Sequence, residues 1–100
     1  MINLTPANFQ KEVLDQKDPI VVVFGNFWHS KTKKICELLE SEKINYCFLD
    51  IDDQSEIAMK YSIRTSPLVQ VLKEGQVIAI ISSEFKIDKL RQILSTGLGN

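Results

Sequence analysis

The feature that most constrains the fold is a short run of apolar, mostly β-branched residues, Ile20–Phe24, with no polar side chain among them. Such a continuous run is typical of a strand that is covered on both faces, because a strand with one wet face alternates apolar and polar side chains. Gly25 and Asn26 end the run with residues that favour turns. The chain therefore needs packed layers on both sides of a central sheet.

Helix and strand patterns alternate around this strand. The predicted helices run from Thr5-Pro6 to Asp18, from Ser30 as N-cap to about Glu42, from Ser55 as N-cap to about Tyr61, and over Phe85–Leu94. The other predicted strands are Ile44–Leu49, Leu68–Leu72 and Val77–Ser82, with a hairpin turn at Glu74-Gly75 and a short optional first strand at Ile2–Leu4. This order predicts one α/β domain over residues 1–100, with a mixed four- to five-stranded sheet and helices on both faces.

The composition argues against several classes of function. Twelve Lys and Arg against thirteen Asp and Glu give a net charge of −1, so charge favours neither a nucleic-acid nor a membrane partner. No apolar stretch approaches the roughly 18 residues of a membrane span, and no secretory signal is visible, so we expect a cytoplasmic protein. Two cysteines and one histidine cannot by themselves form a four-ligand zinc site, and no metal or cofactor is expected.

Five short segments, in order along nearly the whole chain, resemble the thioredoxin family. They are Thr5–Phe9, Val22–Phe24 followed by Trp28, Phe48–Asp52, Lys60–Pro67 and Lys73–Gln76. The fourth, Lys-Tyr-Ser-Ile-Arg-Thr-Ser-Pro, is the most specific of the five. The resemblance implies a thioredoxin fold, protein-disulfide oxidoreductase activity, and a cis-proline at Pro67 that lies beside the active-site loop.

The residues that carry the family's redox chemistry are missing at the matching positions. The resemblance places the family's two active-site cysteines at His29 and Thr32, with Ser30 and Lys31 between them. Dithiol exchange needs one thiolate to attack and a second thiol to resolve the mixed disulfide. A hydroxyl forms no comparable reversible bond, so we expect no ordinary thioredoxin reaction and no catalytic residue in this turn.

Three positions around that turn also depart from the family. Its buried acid falls on Val23, the lysine partner of that acid falls on Phe48, and a tryptophan of the active-site surround falls on Gly25. Two core hydrophobes therefore replace the pair that handles protons. The lysine that usually follows the second cysteine is present as Lys33.

The two cysteines lie elsewhere in the pattern. Cys36 lies two turns into a predicted helix, and Cys47 lies inside an apolar strand. Buried cysteines behave as small hydrophobes of low reactivity, so both are expected to pack in the core. A disulfide between them stays open at this point, although a reducing cytosol argues against it. The alternative function is an atypical thiol-disulfide oxidoreductase in redox homeostasis that uses Cys36 or Cys47.

The predicted contact surface consists of Trp28, His29, Ser66 and Pro67. In the family, the residue before the cis-proline offers backbone groups to an extended peptide, which here places Ser66 in that role. The other interpretations are that His29 is a solvent-facing substitution and that Pro67 only shapes a turn. We expect a non-catalytic module that binds a protein or an extended peptide and is a monomer or weak dimer.

Charged clusters leave further alternatives open. Lys31, Lys33 and Lys34 crowd the first turn of a predicted helix, where they could attract an anionic peptide, a phosphate or glutathione, or could form a solvated face. Asp50, Asp52 and Asp53 are expected to form a solvated turn, because nothing in the sequence fixes a ligand geometry for a metal.

Overall fold

The computed structural model describes residues 1–81 and 85–97, and the five strands found there form one mixed sheet. The strands are β1 (Ile2–Asn3), β2 (Ile20–Gly25), β3 (Cys47–Asp50), β4 (Leu68–Lys73) and β5 (Gln76–Ile81). Their order across the sheet is β1-β3-β2-β4-β5. Strands β1 and β2 pair with β3 in parallel, and β4 pairs antiparallel with β2 and β5. The predicted α/β architecture with a mixed sheet is confirmed.

Alternation along β2 assigns each of its side chains to one of two cores. Val21 and Val23 belong to the core beneath the helices Ser30–Ser41 (α1) and Ile87–Thr96 (α3). Val22 and Phe24 belong to the opposite core, which the short helix Ser55–Lys60 (α2) and the N-terminal segment cover. The apolar run therefore has helices over both faces, as its lack of polar residues predicts.

One buried stripe fixes how α1 lies on the sheet. Thr32, Cys36 and Leu39 are buried, and their i, i+4, i+7 spacing places them on one face of the helix. The helix ends where Lys43 takes a left-handed conformation with φ of 57° and the Ile44 N–H donates to the Leu39 carbonyl. The predicted strand start at Ile44 is therefore wrong, since this residue closes the helix and β3 begins at Cys47.

The N-terminal helix is shorter than the sequence predicts. The Asn8 side chain accepts the Thr5 N–H and donates to the Asn3 carbonyl, which ties this segment into a turn. Regular structure covers only Gln10–Leu14, one π-helical turn in which the Asp15 N–H donates to the Gln10 carbonyl. The predicted helix from Thr5 to Asp18 is wrong in its extent, because the Asp15 N–H passes over the Lys11 carbonyl, which instead accepts the Gln16 side-chain amide.

The hairpin between β4 and β5 matches the predicted turn. Glu74 and Gly75 both have positive φ, 51° and 81°, and Lys73 pairs with Gln76 across the turn. Two left-handed residues form the turn type whose twist fits a two-residue hairpin, which explains the glycine. The predicted end of this hairpin at Ser82 lies outside the described residues.

The predicted cap of α2 is wrong by one residue. Ser55 is the first residue of that helix, and Gln54 holds the cap position without a side-chain hydrogen bond. The Gln54 N–H donates to the Asp50 carbonyl, so the chain already turns before Ser55. Ser55 is therefore one residue too far along the chain for its hydroxyl to cap α2.

Two neighbouring leucines of α1 test its orientation. Leu39 is fully buried, whereas Leu38 is half-buried and lies outside the core clusters. We expect Leu39→Ala to lower the free energy of unfolding by about 3 kcal/mol, because it leaves a cavity, and Leu38→Ala by about 1 kcal/mol or less. Urea unfolding measures both changes. Equal losses in the two variants would contradict the orientation of α1 described here.

Candidate functional site

The loop between β2 and α1 positions the residues where the resemblance places the family's active site. The His29 N–H donates to the Asn26 carbonyl at 3.0 Å, which closes a turn just before the helix. His29 has extended backbone angles, and its Nδ1 accepts the Lys31 N–H at 3.3 Å. His29 is therefore the N-cap of α1. The prediction of Ser30 as N-cap is wrong, because the imidazole supplies the acceptor and Ser30 is already the first helical residue.

The capping bond defines what the imidazole can do. Nδ1 must be unprotonated to accept the Lys31 N–H, which leaves Nε2 as the ring's donor. The bond also uses one of the N–H groups that a free helix N-terminus would offer to an anion. The ring of Trp28 lies next to that of His29, with 6.0 Å between centroids, and the Trp28 side chain is 73% exposed.

Thr32, where the resemblance places the family's second cysteine, packs against a glycine. A Cβ atom at Gly25 would lie 2.8 Å from Thr32 Oγ1 and 3.5 Å from Pro67 Cβ, so any larger residue there would clash. The glycine in place of the family's tryptophan is thus matched by the fully buried Thr32 side chain. Thr32 Oγ1 has no hydrogen-bond partner among the described residues. The Ser66–Pro67 peptide bond beside it is cis.

The residues at which the resemblance places the family's buried acid and its lysine partner are apolar neighbours. Val23 and Phe48 are paired residues of β2 and β3, and both are buried in the core beneath α1. The ring of Phe27 packs on that of Phe48 at 4.1 Å between centroids. These two positions therefore supply no group that could hold or pass a proton.

A groove of about 330 Å³ runs between α1 and the loop that contains the cis-proline. One wall is the flank of α1 next to its buried stripe, and the other comes from the loop, the end of β5 and the segment just before α3. The described lining residues are Lys31, Lys34, Ile35, Leu38, Thr65, Ser66, Pro67, Ile81 and Phe85. The groove combines an apolar floor with two cations and the cis-proline loop.

Ser66 brings unused polar groups to this groove. Within the part of the chain that the structure describes, no hydrogen bond uses the backbone N–H or carbonyl of Ser66. Its Oγ is buried and also has no partner there. Backbone N–H and carbonyl groups outside helices and strands are normally paired with another group or with water. The free groups of Ser66 at the groove wall therefore favour hydrogen bonding to a ligand.

The structure brings together only part of the predicted contact surface. Ser66 and Pro67 line the groove, while Trp28 and His29 lie at the start of α1 and are not among the lining residues. Sequence reasoning missed the lining residues Ile35, Leu38, Thr65, Ile81 and Phe85. The i, i+3, i+4, i+7 spacing of Lys31, Lys34, Ile35 and Leu38 is a signal that could have found the helical wall.

The two cysteines lie on opposite faces of the sheet. Cys36 belongs to the core beneath α1, whereas Cys47 belongs to the core beneath α2. Both thiols are free and buried, and burial raises the pKa of Cys36 and raises that of Cys47 to about 11. The disulfide left open by the sequence is therefore not formed, and a sheet separates the two sulfur atoms.

The acidic loop after β3 folds on itself. Asp50 Oδ1 accepts the N–H groups of Asp52 and Asp53 at 2.9 and 3.2 Å, and the Asn26 amide donates to the Asp52 carboxylate. These bonds form an Asx-type turn and tie the loop to the end of β2. Within residues 1–81 and 85–97, no three His, Cys, Asp or Glu side chains form a group that could hold a metal ion.

Comparisons with known proteins agree with this geometry. The family model for thioredoxin matches residues 1–96. The chain belongs to the thioredoxin family. It is 33% identical to thioredoxin C-2 of Corynebacterium nephridii, in an 85-residue alignment that covers 79% of each chain. Against thioredoxin of Pseudomonas aeruginosa the identity is 29% over 85 residues, again with 79% of each chain covered.

A third relative extends the same likeness. Thioredoxin of Rickettsia bellii is 31% identical over 80 residues, which cover 74% of this chain and 76% of that protein. Separately, none of the helices in the described ranges is long and apolar enough to cross a membrane. The family assignment thus rests on the match along the chain and on the five-stranded sheet.

Cysteines at the family's two thiol positions test the correspondence of residues. In the variant His29→Cys/Thr32→Cys, the N-cap and the third helical residue carry the thiols, and we expect them to form a disulfide under mild oxidation. Thiol titration of the oxidised, unfolded variant should find only the two native thiols. The single variant Thr32→Cys is the matched control and should show three. Four titratable thiols in the oxidised double variant would contradict the correspondence.

Proposed function

We propose that this thioredoxin-family protein binds an extended peptide in the groove between α1 and the cis-proline loop, without dithiol exchange at His29–Thr32. The observation that carries the proposal is the set of unused polar groups of Ser66 at the groove wall. An extended peptide presents N–H and carbonyl groups along one edge, and these complement the free N–H and carbonyl of Ser66. The cis-peptide bond to Pro67 follows directly.

The groove floor adds the apolar part of the binding energy. Leu38 lines the groove, is half-buried, and does not pack against either core cluster. Ile35 and Phe85 line the same groove and are also partly buried. Covering such side chains with an apolar residue of a peptide removes their remaining surface from water, at about 25 cal/mol per Å². Trp28, exposed at the start of α1, extends the proposed contact surface beyond the groove.

The loss of dithiol exchange is part of the same proposal. Thr32 Oγ1 and the His29 ring stand where thiols are needed, and Val23 and Phe48 provide no proton carrier. The remaining thiols are buried and have raised pKa values, so little thiolate forms near neutral pH. We place this function in the cytosol, which agrees with two free cysteines in one chain.

A peptide with an apolar centre and glutamine flanks tests the proposed function, with calorimetry as the readout. We expect it to bind the wild-type protein, and we expect Leu38→Ala to weaken binding about tenfold, because the groove loses an apolar contact. Met59 is 78% exposed on α2, so Met59→Ala is the matched control and should bind like wild type.

Two results would contradict the proposed function. One is an equal loss of affinity in Leu38→Ala and Met59→Ala, since Met59 does not line the groove. The other is catalytic insulin reduction that disappears in Cys36→Ser or Cys47→Ser, because the atypical oxidoreductase would then be the better description.

A further inference from the structure

One flank of α1 carries two charged and two apolar residues along one wall of the groove. Lys31 and Lys34 are followed on the same face by Ile35 and Leu38. Their spacing is that of neighbours on consecutive helical turns, so the cations lie toward the N-terminal end of α1 and the apolar side chains toward its middle. The wall therefore has a cationic end and an apolar end.

No described residue forms an ion pair with the cationic end. None of the described residues that line the groove is acidic. Neither Lys31 nor Lys34 has a carboxylate partner within ion-pair distance among residues 1–81 and 85–97. The first turn of α1 contains no acidic residue that could offset the two charges. Two lysines next to a positive helix terminus repel one another mildly, and a bound carboxylate would relieve that repulsion.

We propose that the peptide bound in this groove is acidic, with carboxylate side chains beside Lys31 and Lys34 and an apolar side chain over Ile35 and Leu38. This inference rests on the proposed function and specifies its ligand. The chain as a whole has a net charge of −1, so the preference arises from the local charge of the groove. The His29 ring already accepts the Lys31 N–H, so the helix terminus has one N–H fewer for an anion, and the proposal assigns the preference to the two side chains.

The proposed selectivity is electrostatic, so the affinity should depend on the charge of the peptide and on the salt concentration. Ion pairs at a partly exposed groove are individually weak, so the acidic preference should be moderate and should fall as salt is added. Charge complementarity also selects against a peptide with cationic flanks, since it would meet Lys31 and Lys34 directly. An apolar contact alone would show neither the order of affinities nor the dependence on salt.

Three peptides with the same apolar centre and glutamate, glutamine or lysine flanks test the charge preference. We expect the glutamate peptide to bind about tenfold more tightly than the glutamine peptide at low salt, and the lysine peptide to bind most weakly. High salt should bring the three affinities together. Equal affinities at low salt would overturn the acidic preference while leaving the peptide groove intact.

Lysine variants distinguish an effect of the two groove lysines from an effect of the protein's overall charge. Lys31→Gln/Lys34→Gln should reduce the advantage of the glutamate peptide to about twofold or less and leave the affinity for the glutamine peptide nearly unchanged. Lys33 is exposed in the same turn and does not line the groove, so Lys33→Gln is the matched control and should retain the advantage.

Three further results would contradict the proposal or the function on which it rests. An equal effect of Lys33→Gln would overturn the proposal, because the attraction would then come from overall charge. Competition by inorganic phosphate as effective as that of the glutamate peptide would also overturn it, in favour of a free-anion site. Failure of all three peptides to bind would contradict the proposed function itself, together with this specification of its ligand.

Discussion

The packing of α1 on the sheet is the contact on which the rest of the structure depends. Thr32, Cys36 and Leu39 face β2 and β3, where Val23 and Phe48 complete the same core. Fixing this stripe also fixes the neighbouring flank of the helix, because residues three and four apart share a face. Lys31, Lys34, Ile35 and Leu38 consequently border the groove beside Pro67. The position of the candidate site follows from apolar packing.

The changes at the family's active site form a consistent structural set. His29 caps the helix through its ring, and Thr32 fills the space above Gly25 that a larger residue would need. Val23 and Phe48, which the resemblance places at the family's buried acid and lysine, form ordinary core, where no ionisable group has to be buried. Each replacement suits the packing of its neighbour.

Much of the fold could be predicted from the sequence because the decisive signals are local. The apolar run Ile20–Phe24 predicts a strand covered on both faces, and Glu74-Gly75 predicts a tight hairpin. Helix ends were predicted less well, since they depend on which side chain captures a free N–H. At α1 the imidazole of His29 does so in place of Ser30, and near the N-terminus the Gln16 side chain donates to the Lys11 carbonyl that a longer helix would use.

The candidate site was predicted only in part, for a physical reason. Ser66 and Pro67 are adjacent in the sequence and belong to a recognisable segment, whereas Ile81 and Phe85 meet Leu38 only through the tertiary fold. The separation of Cys36 from Cys47 likewise depends on which face of the sheet each side chain takes. Such relations follow from the arrangement of helices and strands, which local patterns do not specify.

The central claim is that a peptide lies between α1 and the cis-proline loop. Backbone amide chemical shifts, recorded by NMR during titration with the glutamate-flanked peptide, test it most directly. The account predicts that the largest changes fall on Ser66 and on the exposed face of α1 from Lys31 to Leu38. The largest changes at the edge strand from Val77 to Ile80, or around Met59 on α2, would contradict it.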